Sequence, residues 1–291
     1  MNNLYLDIGT EAIKSYYNKE YSVIYYKETT LFDKKTALMR ELKKFNKPSV
    51  ILTGSIINSE IKTISFQRDN PGKKISKKEI GSFFKLFSGK HYSILEKKIQ
   101  GYKVSSFLNY TGRNIEVKIL LNNFDENFFK NIFKNIKIVS LAELIIIPEP
   151  NCFILDIGGE QSQVFEIEQG ILSNIFNIPL GGKFFSEILS KKLNLSLKDA
   201  RILKENYSKG ELTESVSKKI SNMFEMKEIE KSFNYFSKPR YILGGGSLLP
   251  ELKNFLRAKY LWQLKNTENV IKDSIEAQCF SCQLLYGKKI F

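Results

Sequence analysis

The sequence contains few of the side chains that most often bind metals or act as nucleophiles. Its 291 residues include one histidine, His91, and three cysteines, Cys152, Cys279 and Cys282. Three cysteines do not form a disulfide framework, and the Cys-x-x-Cys pair lacks the further ligands of a structural zinc site. His91 lies in a Gly/Lys-rich stretch without an acidic or nucleophilic companion. We therefore interpret the cysteine pair as packed thiols and place His91 on the surface or in a loop.

Long apolar runs are missing as well. The longest candidate, AELIIIP, is far shorter than the roughly 18 residues that a membrane-spanning helix needs. No signal-peptide pattern precedes the first predicted strand. With 42% hydrophobic residues, the chain is still long enough to bury a sizeable core. We expect a globular protein in the reducing cytoplasm, which reaches the inner face of the cell membrane only through a partner.

Negative charge is in deficit, since 45 lysines and arginines stand against 31 aspartates and glutamates. The basic residues are mostly lysines spread evenly along the chain, a pattern that favours a solvated surface over nucleic-acid binding. No nucleic-acid partner is expected. The net charge of +14 leaves attraction to anionic lipid or to an acidic partner tail as an open alternative.

Short apolar strands alternate with helices at the start of the chain. We predict strands over Leu4–Ile8, Tyr21–Tyr26 and Ser49–Thr53, with a helix over Thr36–Phe45. This alternation is typical of an α/β fold.

The composition changes in the next block, where Lys, Ser, Asn and Phe become common. The run SKKE at Ser76–Glu79 is a capping box, which predicts the start of a helix. Two strand-like runs follow, Tyr102–Tyr110 and Asn114–Leu121, and then an aromatic helix around Asn127–Ile136. We interpret residues 65–137 as a small inserted α+β unit.

The second half of the chain repeats the α/β pattern. The stretch FILDIGGEQS is predicted to pair with VFEIEQGILSNIFNIP as a hairpin that turns at Gln169-Gly170. The other elements predicted here are a helix near Val139–Ile147, a helix opened by Gly181-Gly182, a helix capped by Ser196–Asp199, a helix over Glu211–Phe236 and a strand over Tyr241–Leu243.

Three buried strands deliver glycine-rich backbone to a turn, in the stretches LDIGTE, LDIGGEQS and ILGGGS. Glycines let consecutive backbone amides converge on anionic oxygens, so such turns favour a polyphosphate ligand. The acid at two of these strand tips would repel phosphate unless a divalent cation stood between them. Mg²⁺ binds through a few carboxylates, phosphate oxygens and retained water. The three turns therefore predict a Mg-nucleotide site.

Other nucleotide-binding signatures are missing. The sequence contains no GxxxxGK[ST], no GxGxxG after a strand, and no protein-kinase signature set. P-loop, Rossmann and kinase sites are therefore excluded.

The ordered trio LDIGTEAIK, LDIGGEQS and ILGGGSLLPEL resembles the two phosphate motifs and the adenosine motif of the actin-like ATPase superfamily. The similarity is greatest to the bacterial branch of the cell-division protein FtsA and the pilus protein PilM, which PLGGKFFSEILSKKL and LKDARILKENYSKG also resemble. The resemblance covers nearly the whole chain. It implies an α/β, actin-like (ribonuclease H-like) duplicated two-lobe fold with a small inserted α+β subdomain.

The resemblance also implies a domain organisation. Residues 1–64 and 138–149 would form the first lobe, which a C-terminal helix at 274–287 would close. Residues 65–137 would be the inserted subdomain. Residues 150–273 would form the second lobe, with a reduced helical subdomain at 186–237.

The resemblance assigns the site residues to four groups, with ATP and Mg as cofactors. The residues implied around the β-phosphate are Gly9, Thr10, Glu11 and Lys14. Those implied around the γ-phosphate are Gly158, Gly159 and Ser162, and Asp7 and Asp156 would hold the metal through water. Those implied around the ribose and adenosine are Gly181, Gly182, Arg201, Lys204, Glu205, Gly244, Gly245, Gly246 and Ser247.

The second motif departs from the family pattern. Relatives continue it with a glycine, two hydroxyl residues and an Asp, where this chain has Glu160, Gln161, Ser162 and Gln163. A carboxylate about 4 Å from a phosphate charge, at an effective dielectric near 20, would cost on the order of 4 kcal/mol. Mg²⁺ or Lys14 must screen Glu160, or its side chain points away, or the γ-phosphate is not held. We expect nucleotide binding more than hydrolysis.

The water-positioning residue of the family lies on the helix before the second motif, where the polar candidates are Ser140 and Glu143. Neither is assigned, so the catalytic residues are left open. Whether the protein is an enzyme is left open too, with ATP binding expected and slow ATP hydrolysis as an alternative.

The predicted function is an FtsA-like ATP-binding adaptor or filament-forming component in cell division, with the tubulin-like protein FtsZ as its partner. The alternatives are a PilM-like cytoplasmic component of type IV pilus assembly, which would bind the tail of a pilus inner-membrane protein, and a pseudo-ATPase interaction module. A small-molecule kinase of the same fold is disfavoured, because no acid is clearly placed as its base. Self-polymerisation is an open alternative.

Overall fold

The computed structural model describes residues 3–17, 20–26, 31–42, 49–55, 57–124, 136–144, 149–224, 240–244, 246, 249–252 and 254–255. In these ranges the strands are β1 Asn3–Ile8, β2 Ala12–Tyr17, β3 Glu20–Tyr25, β4 Ser49–Thr53, β5 Asn58–Gln67, β6 His91–Ile99, β7 Tyr102–Lys103, β8 Asn114–Asn123, β9 Ile136–Ile138, β10 Cys152–Ile157, β11 Ser162–Glu168, β12 Ile171–Ile178 and β13 Arg240–Leu243. The helices are α1 Leu31–Leu42, α2 Lys77–Phe84, α3 Leu141–Leu144, α4 Gly182–Leu193, α5 Leu197–Ser208 and α6 Glu214–Ser221, with a 3₁₀ turn at Lys85–Phe87.

The first sheet has the strand order β3-β2-β1-β4-β9. Strands β1, β2 and β3 pair antiparallel, whereas β4 and β9 run parallel to β1. Leu4, Leu6 and Ile8 alternate along β1 and are fully buried, as period-2 side chains on one face of a strand should be. They pack with Leu38 of α1 and Leu52 of β4, and this core places Asp7 on the other face of β1.

The second sheet, β12-β11-β10-β13, repeats that order. An antiparallel hairpin follows β10, and β13 lies parallel on its other side. The run CFILDI in β10 is almost wholly buried, as is expected of a strand with a core on both faces. Helices α4 and α5 pack on one face through Phe185, Leu189 and Ala200. The first and second sheets therefore share one topology, as expected of a duplicated fold.

The third sheet, β5-β8-β6-β7, is antiparallel throughout and carries α2 on its own apolar cluster. It starts with β5, so its first residue is Asn58. The strand predicted over Tyr102–Tyr110 is wrong after Lys103, because this segment folds into turns with Asn109 at φ 70° and a hydrogen bond from Leu108 N to Ser106 Oγ. The sequence reasoning missed β6, whose lysines and Glu96 break the apolar alternation.

Several local predictions are confirmed. Ser76 caps α2 and Ser196 caps α5, each accepting a hydrogen bond from the amide three residues on. Gln169 and Gly170 take φ values of 50° and 74°, as a tight hairpin turn requires. His91 is exposed at the start of β6.

Other predictions differ at their ends or lie outside the described residues. Helix α1 begins five residues before the prediction, α3 spans four residues, and α6 is shorter than predicted. The predictions that lie outside the described residues are the aromatic helix before residue 136, residues 225–236, the helix at 274–287, Cys279, Cys282, Gly245 and Ser247. The domain boundaries stay a prediction. Within the described ranges, none of the helices combines the length and apolarity required to span a membrane.

Candidate functional site

Strands β1 and β10 end in the same turn. Each finishes with Asp-Ile-Gly, and the glycine amide donates a hydrogen bond to the carbonyl three residues on, at 2.9 Å from Gly9 N to Ala12 O and 3.2 Å from Gly158 N to Gln161 O. A Cβ on Gly158 would lie 2.7 Å from Gln161 O, so only glycine fits there. The shared pattern Asp-Ile-Gly-x-Glu makes Glu160 the equivalent of Glu11.

The two strand-tip acids share a lysine. Lys14 pairs with Asp7 across the β1–β2 ladder, and its Nζ lies 3.3 Å from Asp7 Oδ2. Burial raises the pKa of Asp156 to about 6, while the Lys14 charge lowers that pKa and the Asp7 charge raises it. Gln163 stands opposite Asp156 at the place that Lys14 has in the first sheet. The second acid therefore lacks a cation on its own hairpin.

A glycine with positive φ covers each acid. Gly54, with φ 116°, follows β4, and a Cβ there would lie 2.6 Å from Asp7 Oδ1. Gly244, with φ 81°, follows β13, and a Cβ there would overlap Asp156 Oδ1. The sequence reasoning named Gly244 but missed Gly54. Its signal was its position directly after the predicted strand Ser49–Thr53, as Gly244 directly follows Tyr241–Leu243.

The two phosphate-type turns touch each other. Glu160 N donates a hydrogen bond to Thr10 Oγ1 at 3.1 Å, and a Cβ on Gly159 would lie 2.6 Å from the same oxygen. The two turns therefore face one another across a narrow cleft between the first and second sheets.

The N-terminus of α4 holds the second turn in place. Gly182 N and Lys183 N donate hydrogen bonds to the carbonyls of Gly158 and Gly159 at 2.9 and 2.7 Å. The backbone of Gly181 lies against Gly159, where a Cβ would clash. These first helix amides are thus occupied by backbone carbonyls.

Glu160 has a cation that the sequence reasoning did not find. Lys183 Nζ lies 3.2 Å from Glu160 Oε1, and this hydrogen bond raises the pKa of Lys183. Lys14, which was one of the alternatives for screening Glu160, is paired with Asp7. Because both members of the Glu160–Lys183 pair are about one-third exposed, water screens the pair strongly.

The cleft gathers most of the predicted residues. The predicted site residues that line it are Gly9, Thr10, Glu11, Lys14, Gly158, Gly159, Gly182, Lys204, Glu205 and Gly246. The additional lining residues are Ala12, Val23, Tyr25, Ile157, Phe185, Ser208, Lys209 and Leu249. The cavity measures about 130 Å³, well below the roughly 300 Å³ at which small-molecule pockets begin. The cleft is therefore narrow.

Tyr25 bridges the far end of the cleft. Its hydroxyl donates a hydrogen bond to Glu205 Oε2 at 3.0 Å, and the Arg201 guanidinium lies 4.3 Å from its ring centroid. Burial, followed by the Glu205 charge, raises the pKa of Tyr25. Because Tyr25 lies on β3 and its partners lie on α5, this contact joins the first sheet to the helices of the second.

Lys204 is turned inward beside that bridge. Its Nζ donates a hydrogen bond to Gly182 O at 2.8 Å, and burial lowers the pKa of Lys204. A buried ammonium next to two glycine turns is a suitable group for binding an anion.

Some predicted site residues do not line the cleft. Ser162 is fully buried and donates its hydroxyl hydrogen bond to Leu180 O, so its placement does not support a role at the γ-phosphate. Asp7, Asp156 and Gly244 lie beneath the two turns, and Gly181 lies behind the second turn.

Ser140 and Glu143 form a capping box at the start of α3. Glu143 accepts a hydrogen bond from Ser140 N at 2.8 Å and is also bonded to Asn122 Nδ2 at 2.9 Å and to Ser93 Oγ. Asn122 and Ser93 lie on β8 and β6 of the third sheet. The Glu143 carboxylate therefore joins α3 to that sheet and is not available to position a water.

The residues of the cleft fit a nucleotide better than a bare metal. Among the residues that the structure describes, no group of three or more Asp, Glu, His or Cys side chains could hold an ion. Two strand-tip acids suit Mg²⁺ only when phosphate and water supply its other ligands. The glycine turns, Lys14 and Lys204 are suited to binding that phosphate.

Comparison with known proteins shows the class of the fold. The chain has the actin-like ATPase fold, as the sequence resemblance implied. MreB5 of Spiroplasma citri bound to ADP is 11% identical with a TM-score of 0.54, and the match covers 99% of this chain and 97% of that one. The same protein bound to AMPPNP gives a TM-score of 0.53 with equal coverage and identity.

Among these neighbours is a chain of the PilM–PilN type IV pilus biogenesis complex. It is 16% identical with a TM-score of 0.63, and the match covers 99% of this chain and 98% of that one. At such identities the similarity establishes the fold alone. No protein-family model matches the sequence, and no curated protein matches it either.

Proposed function

We propose that this protein binds Mg-ATP in its cleft and serves as a PilM-like cytoplasmic component of a type IV pilus assembly. In that role it binds the tail of an inner-membrane partner. The observation that carries the proposal is the similarity to a chain of the PilM–PilN complex over 99% of this chain, which includes the third sheet as well as the two duplicated sheets. The two lobes and the inserted subdomain predicted from the sequence are part of the same proposal.

Different residues of the cleft would bind different parts of Mg-ATP. The Gly9 and Gly158 amides close the two turns, so the next amides along the chain, those of Thr10 and Gly159, would donate to phosphate oxygens. Lys14 and Lys204 would supply positive charge. Asp7 and Asp156 would hold Mg²⁺ through water, and the bound cation neutralises phosphate charge.

Hydrolysis is proposed to be slow or lacking. Glu160 puts a carboxylate at the second turn, and Gln163 stands where a relative has an Asp. Glu143, a candidate for positioning water, is engaged by α3 and the third sheet. These observations also favour the second candidate function, a pseudo-ATPase module whose nucleotide, if bound at all, acts only on conformation.

A titration with fluorescent ATP in the presence and absence of Mg²⁺ tests nucleotide binding. We expect saturable binding that requires Mg²⁺, and its loss in Gly159→Val, whose side chain would meet Thr10 Oγ1. Gly81→Val is the matched control, because a Cβ at Gly81 has no atom within 4 Å. No saturable association at millimolar nucleotide would refute the proposal.

A second measurement separates the pilus role from the division role. Peptides from the cytoplasmic tail of the pilus inner-membrane protein of the same genome are titrated against the protein, with FtsZ and its tail as the comparison. We expect the pilus tail to bind and FtsZ not to bind. The reverse result would restore the division hypothesis, which has no support from the neighbours described above. Sedimentation with and without ATP detects any self-polymer.

A further inference from the structure

Helix α2 presents a clean basic face to solvent. Its apolar residues Ile80, Phe83 and Phe84 pack on the third sheet, with the Phe83 ring stacked 4.8 Å from that of Phe66. The opposite arc is exposed and consists of Lys77, Lys78, Gly81, Ser82 and Lys85. The preceding turn adds Lys73 and Lys74, which are also exposed. These five lysines are called the α2 lysine face.

The charge of this face is not balanced locally. None of the five lysines forms an ion pair with a residue that the structure describes. The one acid on α2, Glu79, is bound by the buried Arg68. Residues 58–123 contain thirteen lysines and arginines against five acids, and so carry +8 of the net charge of +14.

Two of the five lysines, Lys77 and Lys78, are placed against the stability of the helix. Lys77 and Lys78 are the first two residues of α2, and the last turn of the helix proper contains no basic residue. The amino end of a helix carries partial positive charge, so cations are disfavoured there. A bound external anion would offset this unfavourable interaction between the lysine charges and the helix dipole.

The chemistry of the face selects the partner. Protein interfaces are enriched in arginine and aromatic side chains and depleted in lysine, and every exposed cation of this face is lysine. A lysine ammonium is a compact charge that cannot bind a carboxylate in the bidentate way that arginine does. It is better suited to a surface of many anionic lipid headgroups than to the single carboxylates of a protein partner. Leu86, next to Lys85 and 68% exposed, adds an apolar side chain that can enter the headgroup layer.

We propose that the α2 lysine face binds directly to a membrane surface that contains anionic lipid. No residue of the third sheet or α2 lines the cleft, so this surface is separate from the nucleotide site. It adds a direct contact to the partner-mediated membrane association of the proposed function, and it does not depend on that function being correct.

Vesicle flotation tests the proposal with the full-length protein. Vesicles of phosphatidylcholine alone are compared with vesicles that also contain phosphatidylglycerol, at low and at physiological salt. The face variant is Lys77→Gln/Lys78→Gln/Lys85→Gln. The control, Lys191→Gln/Lys218→Gln/Lys219→Gln, removes the same charge from exposed positions on α4 and α6.

We expect binding only to the anionic vesicles, weakened by salt. Each lysine near an anionic surface strengthens partitioning about five-fold, so the face variant should bind about a hundred-fold more weakly, while the control changes little. Leu86→Ser should weaken binding without altering its salt dependence. Matching thermal unfolding curves for all variants exclude misfolding as the cause.

Three outcomes would overturn the proposal. The first is that anionic vesicles do not retain the protein. The second is equal loss in the face and control variants, which would mean diffuse attraction by net charge. The third is a face variant that loses binding to an acidic peptide or to duplex DNA while it keeps its binding to vesicles.

Discussion

Lys183 controls how the unusual acid of the second turn is balanced. It is the second residue of α4, its amide binds Gly159 O, and its ammonium reaches Glu160. The backbone of Lys183 thus orients the turn, while its side chain offsets the charge that would most oppose the terminal phosphate of the proposed nucleotide. Glu11, the equivalent acid of the first turn, also contributes to the raised pKa of Lys183.

Removing the Lys183 charge should therefore discriminate between nucleotides. In Lys183→Ala we expect ATP affinity to fall about five-fold, in line with about 1 kcal/mol for an exposed pair, and ADP affinity to change less. Glu160→Gln should shift ATP affinity in the opposite direction. Calorimetric titrations of both nucleotides measure this, with Lys191→Ala on the same helix as the control. An equal loss for ATP and ADP would show that Lys183 does not sense the terminal phosphate.

At the scale of elements, the glycines after β4 and β13 let a loop backbone pass directly over an acid. Glycine is required at these positions for two reasons. The backbone has a positive φ, and a Cβ would lie too close to the acid and to the neighbouring strand. Gly244 and Gly101 separate these reasons, because their φ values are 81° and 83° but only Gly244 has atoms near a Cβ.

We expect Gly101→Ala to cost about 1 kcal/mol of unfolding free energy from backbone strain alone. Gly244→Ala should cost at least about 2 kcal/mol more, because its Cβ overlaps Asp156 and the backbone of Ile157. Chemical denaturation of both variants gives the difference. Equal costs would mean that the loop relaxes away from Asp156.

The Arg68–Glu79 pair ties α2 to the turn before it. The Arg68 side chain is almost wholly buried and also donates hydrogen bonds to the carbonyls of Gly112 and Lys73, both at 2.9 Å. The hydrogen bond from Arg68 lowers the pKa of Glu79. The ionised Glu79 carboxylate therefore contributes fully to the free energy of unfolding above the ordinary pKa of a glutamate. This contribution is lost as the pH falls through the lowered pKa of Glu79 in the folded protein.

Glu79→Gln should destabilise the protein by about 2 kcal/mol at neutral pH, because the buried guanidinium loses a charged hydrogen-bond partner but keeps its two carbonyl partners. The difference from wild type should shrink on acidification below about pH 4. Urea unfolding across this pH range measures both effects, and Lys78→Gln is the surface control. A difference that stays constant with pH would contradict the linkage.

The sequence predicts these elements to the extent that their signals are local. Strand tips, capping boxes and the Gln169-Gly170 turn depend on neighbouring residues. Tyr25 and Lys183 escaped prediction because their partners are fixed only when separate elements pack together. Tyr25 meets Glu205, which is 180 residues away. For Ser162 a local signal existed, since it lies two residues before Val164 and so shares its buried face.

At the scale of the whole molecule, two contacts close the cleft, Thr10 with Glu160 N and Tyr25 with Glu205. The remaining cavity of about 130 Å³ is small for the proposed nucleotide, so we expect the two sheets to move apart when it enters. This expectation follows from the duplicated fold, in which each sheet supplies one wall.

Tyr25→Phe should ease this opening. Loss of one hydrogen bond of about 1 kcal/mol corresponds to about five-fold more of the open form. We expect faster nucleotide association in stopped-flow measurements and faster amide exchange at the two turns. Tyr102→Phe, at a residue 78% exposed on the third sheet, is the control. An unchanged association rate would show that Tyr25 does not limit entry.

The hydrogen bonds of Glu143 give the third sheet a mechanical link to the rest of the molecule. Tension applied to β6 or β8 passes through Ser93 and Asn122 to one carboxylate, which also caps α3. Helix α3 precedes β10 along the chain, and β10 ends next to Asp156. A pull on the third sheet, from the proposed lipid surface or bound tail, would thus reach the strand that forms one wall of the cleft by two routes. One is the Glu143 carboxylate, and the other is the packing of Leu120 against Ile154 and Phe165.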